Sequence, residues 1–512
     1  MTEDTMQRIK GEVTKMKKGF GRRWMTWMLC AGLVLTMGGC GATGETVQSD
    51  SAPLVEVEYK KNDLKWEWDE DELVRVSLSG ERAEVDGAGV QMNGNVLCIT
   101  EEGDYLLTGE LNGRILVDAG KNDKVRLILA GVTVNSTDSA AIFALKADKL
   151  TLTLAEGTQN VVLSGKNLIT EDDEELDAAI YSKTDLVING EGSLSVDSPS
   201  GHGILSKDDL RIISGNITVQ AGNDGIRGRD ALLMYGGTVN VVAADDGVKS
   251  NNDEDEEKGY VSIDGGELTV SSGDDGIKAE TKLQIRGGTV NVTKSYEAVE
   301  AQYILISGGT ISLTASDDGI NAAGGEAEST GGWGRGPMMG DLHQSLKFTG
   351  GVVYVDASGD GIDSNGTIEF AGGEVYVSGP VSNGNGALDS DSSMTLTGGI
   401  VLATGSAGMA SAPSSDTQPV TMITATTYQK GGKTVSIRKT TGEELAAFTP
   451  SKDWSSLVVS VPGLEQNESF DVYVGGEKMT TATAGSGGRG FGGGFGGMGG
   501  SFGGQSPQGG RR

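Results

Sequence analysis

The feature that most constrains this chain is a repeat in which two short motifs alternate. One motif is a glycine pair followed by alternating apolar residues, as in Gly287-Gly288-Thr-Val-Asn-Val, and the other is Asp-Gly followed by an apolar residue. Ten residues separate the second glycine of the pair from the Asp-Gly glycine position in five repeats, at 237 to 247, 266 to 276, 288 to 298, 309 to 319 and 351 to 361. A fixed spacing of this kind indicates structural units that stack on one another.

Each repeat is predicted to contain short strands, because its apolar residues alternate and are bounded by Gly and Asp. Three inward-facing columns follow from this pattern. The first is Val239, Leu268, Val290, Ile311, Val353 and Val375. The second is Leu232, Val261, Leu283, Ile304, Leu346 and Ile368. The third is Ile226, Val248, Ile277, Val299, Ile320 and Ile362. Three strands per turn predict an all-β fold, a right-handed parallel β-helix (solenoid) of roughly 22-residue coils, with an N-terminal β cap and a small C-terminal β region.

Composition narrows the class of function. The chain of 512 residues has a formal net charge of -31, so binding to nucleic acid is not expected. It contains 2 His, which argues against zinc hydrolases and His-bearing triads. What remains is an acidic surface rich in carboxylate oxygens, the ligands that Ca²⁺ prefers.

The chain ends predict export and a modular organisation. Residues 1–39 are interpreted as a lipoprotein signal peptide, because basic residues precede a short apolar run and a Gly-Gly-Cys site. Cys40 would then carry a lipid that anchors the protein, expected to be a monomer, to the outer face of the bacterial cytoplasmic membrane. The alternative is that the apolar run is an uncleaved membrane anchor and that Cys40 is incidental. The further boundaries are a polar tether at 40–62, N-terminal cap strands at 63–124, the parallel β-helix at 125–415, a C-terminal β cap or small β domain at 416–484, and a Gly-rich disordered tail at 485–512.

An acidic residue precedes the glycine position of every Asp-Gly motif. These residues, termed the acidic ladder, are Asp224, Asp246, Asp275, Glu297, Asp318 and Asp360. Stacked coils lie about 4.8 Å apart, so the repulsion between neighbouring carboxylates is on the order of 3 kcal/mol before screening. Some group must neutralise these charges, or their pKa values rise.

Three explanations remain open for the acidic ladder. Ca²⁺ could lie between coils, with extra oxygens from Asp245, Asp274, Asp317, Glu300 and Asp363. Arg227, Lys249 and Lys278, two residues after the glycine, could neutralise it internally. Alternatively, the acids are corner residues that bond backbone amides and face water. The strongest metal candidate is the group Glu297, Glu300, Asp317 and Asp318, where no basic residue is expected to compete.

The motifs also resemble a known family. Asp177-Ala-Ala-Ile-Tyr-Ser-Lys, Asp208-Asp-Leu-Arg-Ile, Gly222-Asn-Asp-Gly-Ile-Arg-Gly, Asp245-Asp-Gly-Val-Lys-Ser-Asn-Asn-Asp-Glu-Asp and Gly273-Asp-Asp-Gly-Ile-Lys-Ala-Glu together resemble the carbohydrate-binding-domain-containing proteins of bacterial surfaces. The resemblance covers most of residues 70–480. It implies a pectate-lyase-like right-handed β-helix that binds Ca²⁺ and attaches to cellulose and acidic pectic polysaccharide.

Three classes of function compete. A binding protein without catalysis is favoured, with Arg227, Lys249 and Lys278 meeting uronate carboxylates directly. Tyr354 and Tyr376 then form a possible sugar-stacking pair, or are ordinary exposed strand tyrosines. The alternative enzyme is a calcium-dependent polysaccharide (pectate) lyase with Lys249 or Lys278 as base, although neighbouring carboxylates would raise the pKa of that lysine. The third class is a surface adhesin or structural spacer.

Overall fold

A computed structural model describes residues 54–138, 140–171, 174–324 and 344–486. The signal peptide, Cys40, most of the 324–340 insertion and nearly all of the Gly-rich tail lie outside the described residues. Within these ranges the chain forms strands and turns, and no helix there is long and apolar enough to cross a membrane.

The strands, in chain order, are β1 (Val74–Gly80), β2 (Arg82–Asp86), β3 (Val90–Asn93), β4 (Val96–Ile99), β5 (Gly103–Leu111), β6 (Arg114–Asp118), β7 (Lys124–Asn135), β8 (Ile142–Lys146), β9 (Lys149–Leu154), β10 (Gln159–Leu163), β11 (Ile169–Glu171), β12 (Glu174–Leu176), β13 (Ala178–Ser182), β14 (Asp185–Gly190), β15 (Ser193–Ser198), β16 (His202–Ser206), β17 (Asp209–Ile212), β18 (Asn216–Ala221), β19 (Ile226–Gly228), β20 (Ala231–Met234), β21 (Thr238–Ala243), β22 (Val248–Ser250), β23 (Tyr260–Ile263), β24 (Glu267–Ser271), β25 (Ile277–Ala279), β26 (Lys282–Ile285), β27 (Thr289–Lys294), β28 (Val299–Ala301), β29 (Tyr303–Ile306), β30 (Thr310–Ala315), β31 (Ile320–Ala322), β32 (Ser345–Ala357), β33 (Ile362–Ser364), β34 (Thr367–Ser378), β35 (Ser393–Leu396), β36 (Ile400–Gly405), β37 (Thr421–Gln429), β38 (Val435–Lys439), β39 (Glu444–Phe448), β40 (Trp454–Ser460), β41 (Ser469–Val474) and β42 (Glu477–Thr483).

These strands stack in three parallel columns, and successive coils add one strand to each. The third column is the sheet that runs from β3 through β4 to β33. The second column passes through β9, β14, β17, β20, β23, β26 and β29, and the first through β10, β15, β18, β21, β24, β27 and β30. The long strands β32 and β34 belong to both, so these two columns form one 24-stranded sheet.

The three predicted inward columns are confirmed residue by residue. Each predicted neighbour is the register partner in the next coil, as at Val239 opposite Leu268, and all eighteen side chains are buried in one continuous core. The core is aliphatic because each coil contributes only a few inward side chains per strand, each worth about 1.5–3 kcal/mol when buried. The all-β stacked architecture is therefore established, whereas the hand of the winding stays a prediction.

The two glycine motifs serve different steric needs. The second glycine of the pair takes a positive φ, which is 80° at Gly288, as expected for a tight corner. The Asp-Gly glycine instead allows a close approach between coils. A Cβ at Gly247 would lie 2.2 Å from Val270 Cγ1 and 2.6 Å from the carbonyl oxygen of Gly276.

The ends of the stack differ from its middle. Parallel pairing already joins β1 to β5 and β4 to β6, so the first coils lie inside residues 63–124, the segment interpreted as a cap. At the other end β36 pairs antiparallel with β40. Beyond it β39, β38, β41 and β42 form a four-stranded antiparallel sheet, packed around Trp454 and Phe470.

Residues 54–68 form an N-terminal strap against the outer surface of the second column. The Tyr59 hydroxyl donates to Asp264 Oδ2 (2.8 Å), and Asn189 Nδ2 donates to the carbonyl of Asp63 (2.9 Å). Arg126 donates to the carbonyl of Glu67 (3.1 Å). Part of the segment predicted as a polar tether at 40–62 therefore contacts the stack, through Tyr59 and through the backbone of Val55, which accepts from Gln284 Nε2 (3.0 Å).

Replacing the Asp-Gly glycine should weaken the stack. Gly247→Ala forces a methyl group into backbone and side-chain atoms, so we expect a loss of about 2 kcal/mol in unfolding free energy. Gly384→Ala is the control, because its Cβ would meet only Ser382 Oγ at 3.8 Å. Urea unfolding followed by circular dichroism measures both, and equal midpoints for the two variants would contradict the close approach.

Candidate functional site

The first three members of the acidic ladder are buried between coils. Asp224, Asp246 and Asp275 are 1%, 1% and 2% exposed. Two of these carboxylates are aimed along the stack, because Asp246 N donates to Asp224 Oδ1 (3.3 Å) and Asp275 N donates to Asp246 Oδ1 (2.9 Å). The expectation of corner residues that bond backbone amides is thus correct for Asp224 and Asp246, but the expectation that the ladder acids face water is wrong for all three.

A row of basic residues pairs with these buried acids from the same coils, although burial, followed by the hydrogen bond with Glu300, still raises the pKa of Asp275 to about 8. Arg227, Lys249 and Lys278 lie opposite one another on the outer side of the third column. Each pairs with the acid three residues before it, at 3.6 Å from Asp224, 2.5 Å from Asp246 and 2.7 Å from Asp275 respectively. The spacing explains the contact, since one inward residue separates the glycine from the cation.

His202 begins this arrangement and was not singled out from the sequence. It is 2% exposed, with Nδ1 3.2 Å from Asp224 Oδ2 and Nε2 3.4 Å from Asp177 Oδ2. Burial opposes protonation, but hydrogen bonds to Asp177 and Asp224 together raise the pKa of His202. The sequence feature that could have identified this residue is its position, because His202 lies 22 residues before Asp224, about the length of one repeat.

Beyond Lys278 the row changes sign. The next residues in register are Glu300, Asn321 and Asp363. Burial, followed by the charge of Glu300, raises the pKa of Glu297 to about 7. Burial likewise raises the pKa of Asp318 to about 6, despite the hydrogen bond that its carboxylate accepts from Asp360 N (2.6 Å).

The clearest group of unneutralised acids is Asp360, Asp363 and Asp389. One carboxylate oxygen of each lies within 4.8 Å of the others. Burial, followed by the charges of Asp360, Asp318 and Asp389, raises the pKa of Asp363 to about 7. Asp389 was not predicted from the sequence, because its coil has no Asp-Gly motif. Leu388 nevertheless pairs with Ile362, so this coil also places an acid directly after an inward apolar residue.

The metal group preferred from the sequence is divided in the structure. Glu300 and Glu297 group with Asp275, whereas Asp317 and Asp318 lie outside that group. Lys278 bonds Glu300, so the expectation that no cation competes there is wrong. Among the additional acids, Asp245 groups with Asp224 and Asp246, and Asp274 groups with Asp246 and Asp275.

The two predicted sugar-stacking tyrosines are neighbours but differ in access. Tyr354 and Tyr376 are register partners whose rings stack with centroids 5.0 Å apart. Tyr376 is 6% exposed and stacks on Phe448 of the C-terminal sheet, while Tyr354 is 46% exposed. Only Tyr354 of this pair therefore presents a ring to a ligand.

Part of the chain is similar to known proteins. Residues 93–333, just under half of the chain, match the model of a family described as carbohydrate-binding domain-containing protein. A protein of that name from Acetivibrio thermocellus is 39% identical over 136 residues, which cover 26% of this chain and 48% of that relative. The chain thus matches about half of the relative's length. A solved structure described as a polysaccharide lyase-like protein from C. thermocellum, gadolinium derivative, is 32% identical over 46% of this chain and 90% of that one, with a TM-score of 0.41.

Removing the counter-ion of a buried acid should cost more than removing the counter-ion of an exposed acid. Lys278→Met leaves Asp275 and Glu300 without their counter-ion, so we expect a loss of about 3 kcal/mol at neutral pH. Lys282→Met is the control, because its partner Glu257 is 86% exposed, and its loss should stay below about 1 kcal/mol. Chemical denaturation at pH 7 measures both, and similar losses would contradict internal neutralisation.

His202 should make stability depend on pH. Because its pKa is raised by folding, its stabilisation is complete below the unfolded value of about 6.5 and disappears as pH rises through the folded value. We therefore expect wild type to lose more unfolding free energy than His202→Gln between pH 6 and pH 9. Apart from Asp177 and Asp224, whose pKa values His202 itself lowers, the carboxyl groups have the same surroundings in both proteins. Parallel curves would therefore show that His202 is not held protonated.

Proposed function

We propose that this chain is a lipid-anchored, non-catalytic protein of the bacterial cell surface that binds polysaccharide through a calcium-containing solenoid. The observation that carries the proposal is the group Asp360, Asp363 and Asp389, in a chain whose matched family is described as carbohydrate-binding. The proposal includes right-handed winding in coils of roughly 22 residues, attachment through Cys40 and a monomeric state.

The residues of this acidic group fit Ca²⁺. Carboxylate oxygens are the ligands that the ion prefers, and it takes six to eight oxygens in flexible geometry. No Lys, Arg or His of the described residues forms an ion pair with Asp360, Asp363 or Asp389, in contrast to the first three ladder acids. After burial, the charges of Asp360, Asp318 and Asp389 raise the pKa of Asp363, and that of Asp389 also raises the pKa of Asp360; a divalent cation relieves such repulsion.

Calcium also provides a route to an acidic polymer. A chain of net charge -31 repels polygalacturonate, whereas a bound divalent ion with open positions can be shared with a uronate carboxylate. Tyr354 offers an exposed ring for sugar stacking on the first column. We therefore propose plant-type polysaccharide as the ligand class, with polygalacturonate held through calcium and cellulose as the neutral candidate.

The chemistry of the lysines argues against the lyase alternative. Burial alone would lower the pKa of Lys249, but Asp224 and Asp246 raise it, and Asp275 and Glu300 raise that of Lys278 in the same way. A base for β-elimination must be neutral near the working pH, whereas these ammonium groups are held protonated as counter-ions. Arg227 donates from Nε to Asn251 Oδ1 (2.9 Å), so direct uronate binding by this row would require existing bonds to break.

The decisive test combines polymer binding with calcium removal. Wild type should co-sediment with insoluble polygalacturonate in calcium and lose about tenfold or more of that affinity in excess chelator, because one carboxylate-calcium contact is worth at least a charged hydrogen bond. Asp363→Asn with Asp389→Asn should reproduce the loss in calcium.

Asp253→Asn, in an exposed loop, is the matched control for removal of an acid and should bind as wild type does. Sedimentation with cellulose in the same series separates neutral from acidic ligands. Release of unsaturated uronide, measured by ultraviolet absorbance, would overturn the non-catalytic assignment. No binding to either polymer would leave the adhesin or spacer class.

A further inference from the structure

A second polar site lies where the N-terminal strap crosses the early coils. A cavity of about 330 Å³ opens between the strap and the second column. The strap lines it with Lys60 and Lys61, and the starts of β7 and β9 line it with Lys124 and Lys149. Its volume is at the lower end of the range for small-ligand sites.

The lining of this cavity is cationic in a strongly acidic protein. Four lysines face two acids, Asp148 and Asp185. Asp185 is already engaged by Arg211 at 3.0 Å, and the pair between Lys124 and Asp148 is loose, at 3.8 Å with both side chains about half exposed or more. Lys149 is paired with the buried Asp63.

The two strap lysines lack such compensation. Lys60 and Lys61 are exposed, and no carboxylate of the described residues forms an ion pair with either ammonium group. Like charges gathered around one cavity repel one another unless an anion lies between them. The excess positive charge therefore suits an anionic ligand.

The strap holds these lysines in place from both sides. Tyr59 is fixed by its bond to Asp264 and by edge contact with Tyr235, whose ring centroid is 4.8 Å away. Asp63 is fully buried against Lys149, and its backbone N–H donates to the carbonyl of Lys60 (2.9 Å). Lys60 and Lys61 thus occupy a turn between two anchored residues, an arrangement that reduces the entropy lost on binding.

We infer that this strap cavity binds the carboxylate of a uronic acid residue directly, without a metal. The inference rests on the proposed function, because the acidic polysaccharide suggested there supplies the anion, and the cavity volume suits a sugar better than a bare ion. Ammonium groups donate charge-assisted hydrogen bonds to carboxylates. The strap cavity lies on the second column, whereas Asp360, Asp363 and Asp389 belong to the coils of β33 and its successor on the third.

The test is lysine footprinting with trigalacturonate, carried out in excess chelator so that calcium contributes nothing. Trigalacturonate at saturation should slow acetylation of Lys60 and Lys61 by about fivefold or more, while the exposed Lys166 and Lys433 react at unchanged rates. Galactotriose, which lacks carboxylates, should protect none of the four. Equal labelling with and without trigalacturonate would overturn the inference, and so would equal protection by inorganic phosphate, since that would mark a general anion site.

Variants give an independent measure by calorimetry. Lys60→Ala with Lys61→Ala should weaken trigalacturonate binding by about tenfold, whereas the matched pair Lys166→Ala with Lys433→Ala should not change it. Lys60→Arg with Lys61→Arg, which keeps both charges, should retain most of the affinity. Unchanged affinity in the alanine pair would overturn the strap site while calcium-dependent sedimentation still supported the proposed function. Lysine protection without sedimentation would support the strap site and contradict the calcium-mediated one.

Discussion

Parallel stacking at about 4.8 Å is the constraint on which this structure depends. Each side chain contacts the residue at the same position of the neighbouring coil. A residue type that packs well against itself therefore stabilises every interface between coils, and a residue type that repels itself destabilises every one. Aliphatic residues benefit, and the three inward columns form one continuous buried core. An acid at a repeated inward corner is the unfavourable case, because its charge recurs at the next coil.

Successive coils place different residues beside these acids, in one row of the third column. Phe143, Tyr181 and Leu205 begin the row under the hairpin of β11 and β12. Arg227, Lys249 and Lys278 follow and pair with the first ladder acids. Beyond Lys278 the row continues with Glu300, Asn321 and Asp363, and burial followed by the charges of Asp360, Asp318 and Asp389 raises the pKa of Asp363. Thus the same backbone geometry produces a region where basic residues pair with the ladder acids and, a few coils later, a group of acids without such partners among the described residues.

Sequence reasoning succeeded where one period controls the outcome. The inward columns follow from spacing alone, as the pairing of Val239 with Leu268 illustrates. It failed where distant segments decide exposure. Tyr376 is covered by Phe448, and Gln284 bonds the backbone of Val55 across 229 positions, which no local pattern encodes. It also missed Asp389, because it searched for Asp-Gly and not for the apolar-acid order that stacking preserves.

In the proposed calcium site, protons and calcium would compete for the same carboxylate oxygens of Asp360, Asp363 and Asp389. The raised pKa of Asp363 means that the folded chain without metal holds a proton there that the unfolded chain releases, so this group contributes stability at low pH that is lost as pH rises through about 7. A metal ion requires the deprotonated carboxylate, and its affinity therefore increases over the same pH interval. The calcium site proposed for Asp360, Asp363 and Asp389 would therefore cost the metal-free protein stability in the same pH interval in which the ion would bind best.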